Sequence, residues 1–260
     1  MLDEIHFGLI AVHIGAGTVA LIAFWFAMLA RKGNARHRAG GRWFAWAMRI
    51  VTVTAVIAAL LVLADPLAIE DPAGALATQG AEAMAEVAWR ARRGALFLLT
   101  IGLLVLASVR HGMLALRTRS EPDALRSPQQ LILLTALCLA GLATAYVGWR
   151  AGSILLMVFG GLALVSGPRM LHRALSGPLP AQERIIAHLE GMLGASIGAY
   201  TAFFVFGGNR FLSEWLDGYW ALIPWIAPAV LGSIASGWYA RRYRRRASGA
   251  RAASATAAVA

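Results

Sequence analysis

The groups able to do chemistry in this 260-residue chain are few: six histidines, one cysteine and a short set of charged residues inside apolar runs. His6 and His13 lie seven apart, which puts them on one helix face about 10 Å from each other, too far to share a metal ion. His13, the deeper of the two, needs a partner from another helix. A second group lies in the run 183–200. There Glu190, Gly194 and Gly198 repeat every four residues, a small-residue face suited to close helix approach, and His188, Met192 and Ser196 form a neighbouring row. Arg49 lies in another apolar run at a depth similar to that of Glu190. The two are expected to pair across a helix contact; the competing expectation is that Arg49 snorkels alone to the headgroups. The third group is basic. It comprises Lys32, Arg36, His37, Arg38 and Arg42, with His111 and His172 ending later runs on the same side. Clustered imidazoles suit haem or metal ligation, and clustered guanidinium groups suit phosphate or another anion.

Other chemistries lack their residues. The sequence has no nucleotide-binding glycine loop and no H-E-x-x-H spacing. Cys138 stands alone in an apolar run, so no intrachain disulfide or CxxC site is open to it, and it reads as a packing residue.

These groups must be positioned by membrane helices. The chain is 59% hydrophobic and 14% charged, with a mean hydropathy of +0.64, whereas a soluble domain carries roughly 25% charged residues. Apolar windows of spanning length, roughly 20 residues each, fall at about 5–30, 43–64, 94–116, 129–148, 152–168, 185–206 and 219–240. The fourth and fifth are joined so tightly around Gly152 that they must be antiparallel neighbours. The expected fold is all-α: a bundle of seven transmembrane helices forming one domain over 1–246, with a disordered cytoplasmic tail at 247–260. Asp65-Pro66 and Asp71-Pro72 should stop the second helix, and Ala81–Arg93 reads as a separate surface helix on the outer interface.

Charge sets the orientation. Segments 31–42, 110–128, 169–184 and 241–260 hold 18 of the 24 Lys and Arg residues but only three of the 13 acidic ones. Positive charge favours the cytoplasm, so the N-terminus is expected outside and the C-terminus inside, which requires an odd number of spans. The acidic start has no basic n-region and does not read as a cleavable signal. Placed beside the membrane, the basic residues suit anionic headgroups rather than nucleic acid.

Three stretches resemble a family of predicted bacterial multi-helix membrane proteins of unknown function. They are His13 with Gly17; Lys32-Gly33 followed by His37-Arg38 and Gly41-Arg42; and His188 with Met192, Gly194 and Thr201-Ala202-Phe203. The family patterns run KG-x-x-x-HR-x-x-GR and H-x-x-x-M-x-G-x-x-I-x-x-x-T-A-F. This chain has Leu189-Glu190-Gly191 where a basic residue is more usual before the methionine, and Gly112-Met113-Leu114 where the family tends to have Gly-Trp-Arg. The resemblance implies a compact helical bundle with His13, His37 and His188 as the positions to watch, and no activity.

The functional expectation is an integral protein of the bacterial inner membrane, the Ala-rich, Arg-rich and Lys-poor composition hinting at a high-GC bacterium. It binds or transports a small or amphipathic anion or a lipid through His13, His37, Arg38, Arg42, Arg49, His188, Glu190 and Met192. The alternative is a redox protein holding haem b or a quinone, with His188 joined by His111 or His37. A zinc-dependent membrane hydrolase comes a distant third. The expected partners are the bilayer, its anionic headgroups and a second copy of the chain.

Overall fold

A computed structural model describes residues 2–208, 220 and 223–259. It is all-α: α1 (Leu2–Leu29), α2 (Ala35–Ala64), the single-turn α3 (Pro66–Glu70), α4 (Ala81–Arg117), α5 (Pro128–Arg150), α6 (Ile154–Leu175), α7 (Ala181–Ala202) and α8 (Ile223–Val259). A π-helical turn over Phe203–Gly207 extends α7. Among the described residues six helices are long and apolar enough to cross a membrane: α1, α2, α4, α5, α6 and α7 with its extension. The seventh window, 219–240, falls on α8 and in part outside the described residues.

Local chemistry explains most boundaries. Asp65 closes α2 and opens α3, its carboxylate accepting the Ala68 N–H at 3.1 Å with Pro66 at the first helical position. Asp71 accepts from the Ala75 and Leu76 N–H groups at 2.9 and 2.8 Å. Three elements differ from the expectation. The helix α2 begins at Ala35 rather than 43, because Asn34 caps it through the His37 N–H at 2.8 Å. Ala81–Arg93 is not a separate surface helix but the start of α4, 37 residues and about 55 Å long; the stretch contains no proline, and Gly94 alone does not break it. The helix α8 runs on through 247–259, the segment read as a disordered tail, where abundant alanine favours the helical backbone.

The chain divides into two compact units, one of residues Met1–Ala107 with Pro128–Ala174, the other of Ser108–Ser127 with Leu175–Ala260. In the first, α1 packs on α2, and α5 and α6 form an antiparallel hairpin closed by Gly152 at φ +64°. Small residues bring the two backbones together. A Cβ on Gly160 would lie 2.5 Å from the Ala145 nitrogen, one on Gly148 2.7 Å from the Met157 nitrogen, and one on Gly167 2.7 Å from the Cys138 sulfur. The hydroxyls of Thr100 (α4) and Thr144 (α5), both fully buried, meet at 2.7 Å. In the second unit the end of α4 crosses α7, and α8 packs on α7 with Gly232 against Ile197.

Candidate functional site

The turn between α1 and α2 carries the densest set of motif residues. Gly33 adopts φ +82°, a conformation open to glycine. The turn reverses the chain so that Lys32 and His37 both reach the last carbonyls of α1. The Lys32 ammonium donates to Met28 O at 2.6 Å and to Ala27 O at 3.3 Å, and His37 Nδ1 donates to Ala27 O at 2.9 Å. These carbonyls have no intrahelical donor left, and a cation there also meets the negative end of the helix dipole. Partial withdrawal from water pulls the Lys32 ammonium below its ordinary pKa. The Arg38 guanidinium donates to the Gly33 carbonyl. Gly40 then lets α2 lie on α1: a Cβ there would sit 2.9 Å from the Ala27 nitrogen. The Lys-Gly and His-Arg pairs thus form a lock between two helices.

His13 does for the middle of this hairpin what His37 does for its end. Its Nδ1 donates to the Val51 carbonyl of α2 at 2.9 Å and lies 3.3 Å from the Thr54 hydroxyl. In the second unit His188 of α7 repeats the device, Nδ1 donating to the Gly112 carbonyl of α4 at 3.2 Å. A carbonyl only accepts, so all three rings carry a proton on Nδ1. The three positions singled out by the sequence are therefore helix-to-helix clips, each holding a neighbouring backbone.

The remaining site residues divide between the units. Arg49 lies over the Trp46 ring at 5.0 Å, one turn nearer the start of α2, the posture of a cation reaching back toward an interface. It belongs to the first unit and the half-buried Glu190 to the second. Arg42 is exposed. Met192 lies beside Gly112, its Cε 3.1 Å from where a Cβ would stand. The close approach on α7 is made by Gly191, not by Gly194, which has open space around it. His111 is buried, His172 is exposed, and the four histidines grouped by the sequence fall two to each unit. Among the described residues no three His, Cys, Asp or Glu side chains come together as a metal site.

What the sequence reading missed is a groove. About 990 Å³ of space lies between the ends of α1 and α2, lined by Val19, Ile22, Ala23, Trp25, Phe26 and Leu29 on one side. On the other side stand Arg36, Ala39, Gly40 and Trp43. Both walls follow helical spacing: Val19, Ile22, Ala23 and Phe26 on α1, and Arg36, Ala39, Gly40 and Trp43 on α2. That stripe was the available signal, hidden because the first eight residues of α2 read as loop. The volume is at the upper end of the range for small-molecule sites. Arg36 is the one charged residue among these lining residues.

An all-α chain with six apolar helices of spanning length, their outward side chains largely hydrophobic, defines a multi-pass membrane protein. No family model matches the chain, and neither a curated protein nor a solved structure is similar to it.

Proposed function

We propose that this is a seven-span protein of a bacterial inner membrane, N-terminus outside and C-terminus in the cytoplasm, that binds an amphipathic anion in the α1–α2 groove. The observation that carries the binding role is that apolar groove ending at Arg36. Its walls match a hydrocarbon chain and its one cation matches an anionic head. The polar residues expected to do chemistry, His13, His37, Arg38 and His188, are occupied in holding helices, which favours binding over catalysis.

The binding reading is tested with a naturally fluorescent polyene fatty acid titrated into the purified chain in mild detergent. Saturable binding of one probe per chain is expected. Ala39→Trp and Ala30→Trp, each adding bulk at a residue that lines the groove, should abolish it without lowering the melting temperature. Binding that neither variant weakens would overturn this reading.

The orientation is tested separately. In a Cys138→Ser background, a cysteine replacing exposed Thr78 should react with a membrane-impermeant maleimide added outside intact spheroplasts. One replacing exposed Ser120 should react only after lysis. Labelling of both from the same side would exclude the proposed topology.

A further inference from the structure

Building on the amphipathic-anion reading of the groove, we infer that its occupant is an anionic glycerophospholipid of the cytoplasmic leaflet, one acyl chain lying along α1 and the phosphodiester on Arg36. Length is the first argument. The α1 wall runs from Val19 to Ala30, eleven residue steps or about 16 Å along the helix. One leaflet of a hydrocarbon core about 30 Å thick is about 15 Å deep. The groove therefore ends at headgroup level, half as long as a site for something that crosses the membrane. A water-soluble anion would leave nearly all of its apolar wall without a partner.

Charge is the second argument. No carboxylate occurs in the sequence between Glu4 and Asp65, so both helices of the hairpin present cations alone at this end. Lys32 and Arg38 are engaged with backbone carbonyls. Arg36 instead opens on the groove and meets no carboxylate among the described residues. A second copy of the chain seated here symmetrically would bring Arg36 against the same cationic end of another hairpin, whereas a phosphodiester supplies the missing negative charge.

Aromatic side chains complete the wall. Trp25 and Trp43 line the same groove and are 50% and 67% exposed, two large apolar ring faces against which an acyl chain can lie.

The experiment uses the full chain in nanodiscs of equal phosphatidylglycerol and phosphatidylcholine, released into a delipidating detergent and weighed intact by native mass spectrometry. One retained lipid per chain is expected, phosphatidylglycerol being enriched about fivefold over phosphatidylcholine, the worth of one cation beside an anionic headgroup. Arg36→Glu should erase the enrichment. Arg31→Glu and Arg42→Glu, equal changes of charge at residues that do not line the groove, should preserve it, and Ala39→Trp should remove the retained lipid. Equal retention of both lipids, or an Arg36→Glu variant as selective as the parent, overturns the inference. So does displacement of the lipid by millimolar glycerol phosphate, which would mark a soluble anion, or a lipid-free dimer, which would mark a second copy. In those cases fatty-acid binding in the groove still stands; only loss of that binding as well brings down the reading beneath it.

Discussion

Gly160→Ala is expected to destabilise the protein by about 1–3 kcal/mol, the usual cost of overpacking a well-filled site. Gly161→Ala is expected to stabilise it by about 0.5–1 kcal/mol through the helix preference of alanine over glycine. The two positions are adjacent and chemically identical in the sequence. They differ in what a new methyl group meets. At 160 it would stand 2.5 Å from the Ala145 nitrogen and 2.8 Å from the Ala145 Cα, both backbone atoms that can give way only if the whole of α5 shifts. At 161 nothing lies within 4 Å. The α5–α6 hairpin has several such approaches in register, at Gly141, Gly148, Gly160 and Gly167, so a shift at one disturbs the others. In a membrane, where apolar side chains gain little by leaving lipid, packing of this kind supplies much of the helix association. Thermal unfolding of both variants in one detergent decides the matter. Equal melting temperatures would mean that α5 and α6 do not approach as described.

The same comparison shows what a sequence carries and what it withholds. Hydrophobic windows locate the long helices because burial in lipid is a property of composition, summed over some twenty residues. The Asp-Pro stops after α2 and the antiparallel pair around Gly152 are legible because capping and turn chemistry are local. The start of α2 is not, since twelve residues rich in Arg and Gly read as a basic loop until Asn34 is seen accepting the His37 N–H. Continuation of α4 back to Ala81 escapes for a related reason: amphipathic and apolar stretches of one helix look like two elements when judged by hydropathy. The candidate site was legible in part. His13, His37 and His188 stand out because polar groups in apolar runs must find partners. That all three partners are backbone carbonyls of a neighbouring helix is invisible, for a carbonyl has no residue identity. Arg36 was hidden in plain view among equivalent arginines; its distinction is the groove it faces, which two helices make together.

Gly191→Ala is the sharper test of the second unit, because there the sequence favours the wrong glycine. The repeat Glu190, Gly194, Gly198 predicts close approach along one face of α7, yet a Cβ on Gly194 meets nothing within 4 Å. One on Gly191 would lie 2.5 Å from the Ser108 carbonyl oxygen and 3.0 Å from the Gly112 Cα, glycine against glycine where α4 and α7 cross. Alanine at 191 must push the helices apart, at about 1–3 kcal/mol. The separation also stretches the hydrogen bond from His188 Nδ1 to the Gly112 carbonyl, 3.2 Å as it stands and one turn from Gly191. A bond of this kind between membrane helices is worth up to about 1–2 kcal/mol. Because both losses follow from one displacement, Gly191→Ala combined with His188→Ala should cost less than the sum of the single changes, by about 0.5 kcal/mol or more. Gly194→Ala should match or exceed the parent in stability. A double-mutant cycle read from reversible unfolding in mixed micelles measures all of these. Strict additivity would uncouple the histidine from the crossing, and a Gly194→Ala variant that melts below Gly191→Ala would return the contact to the face on which the four-residue repeat puts it.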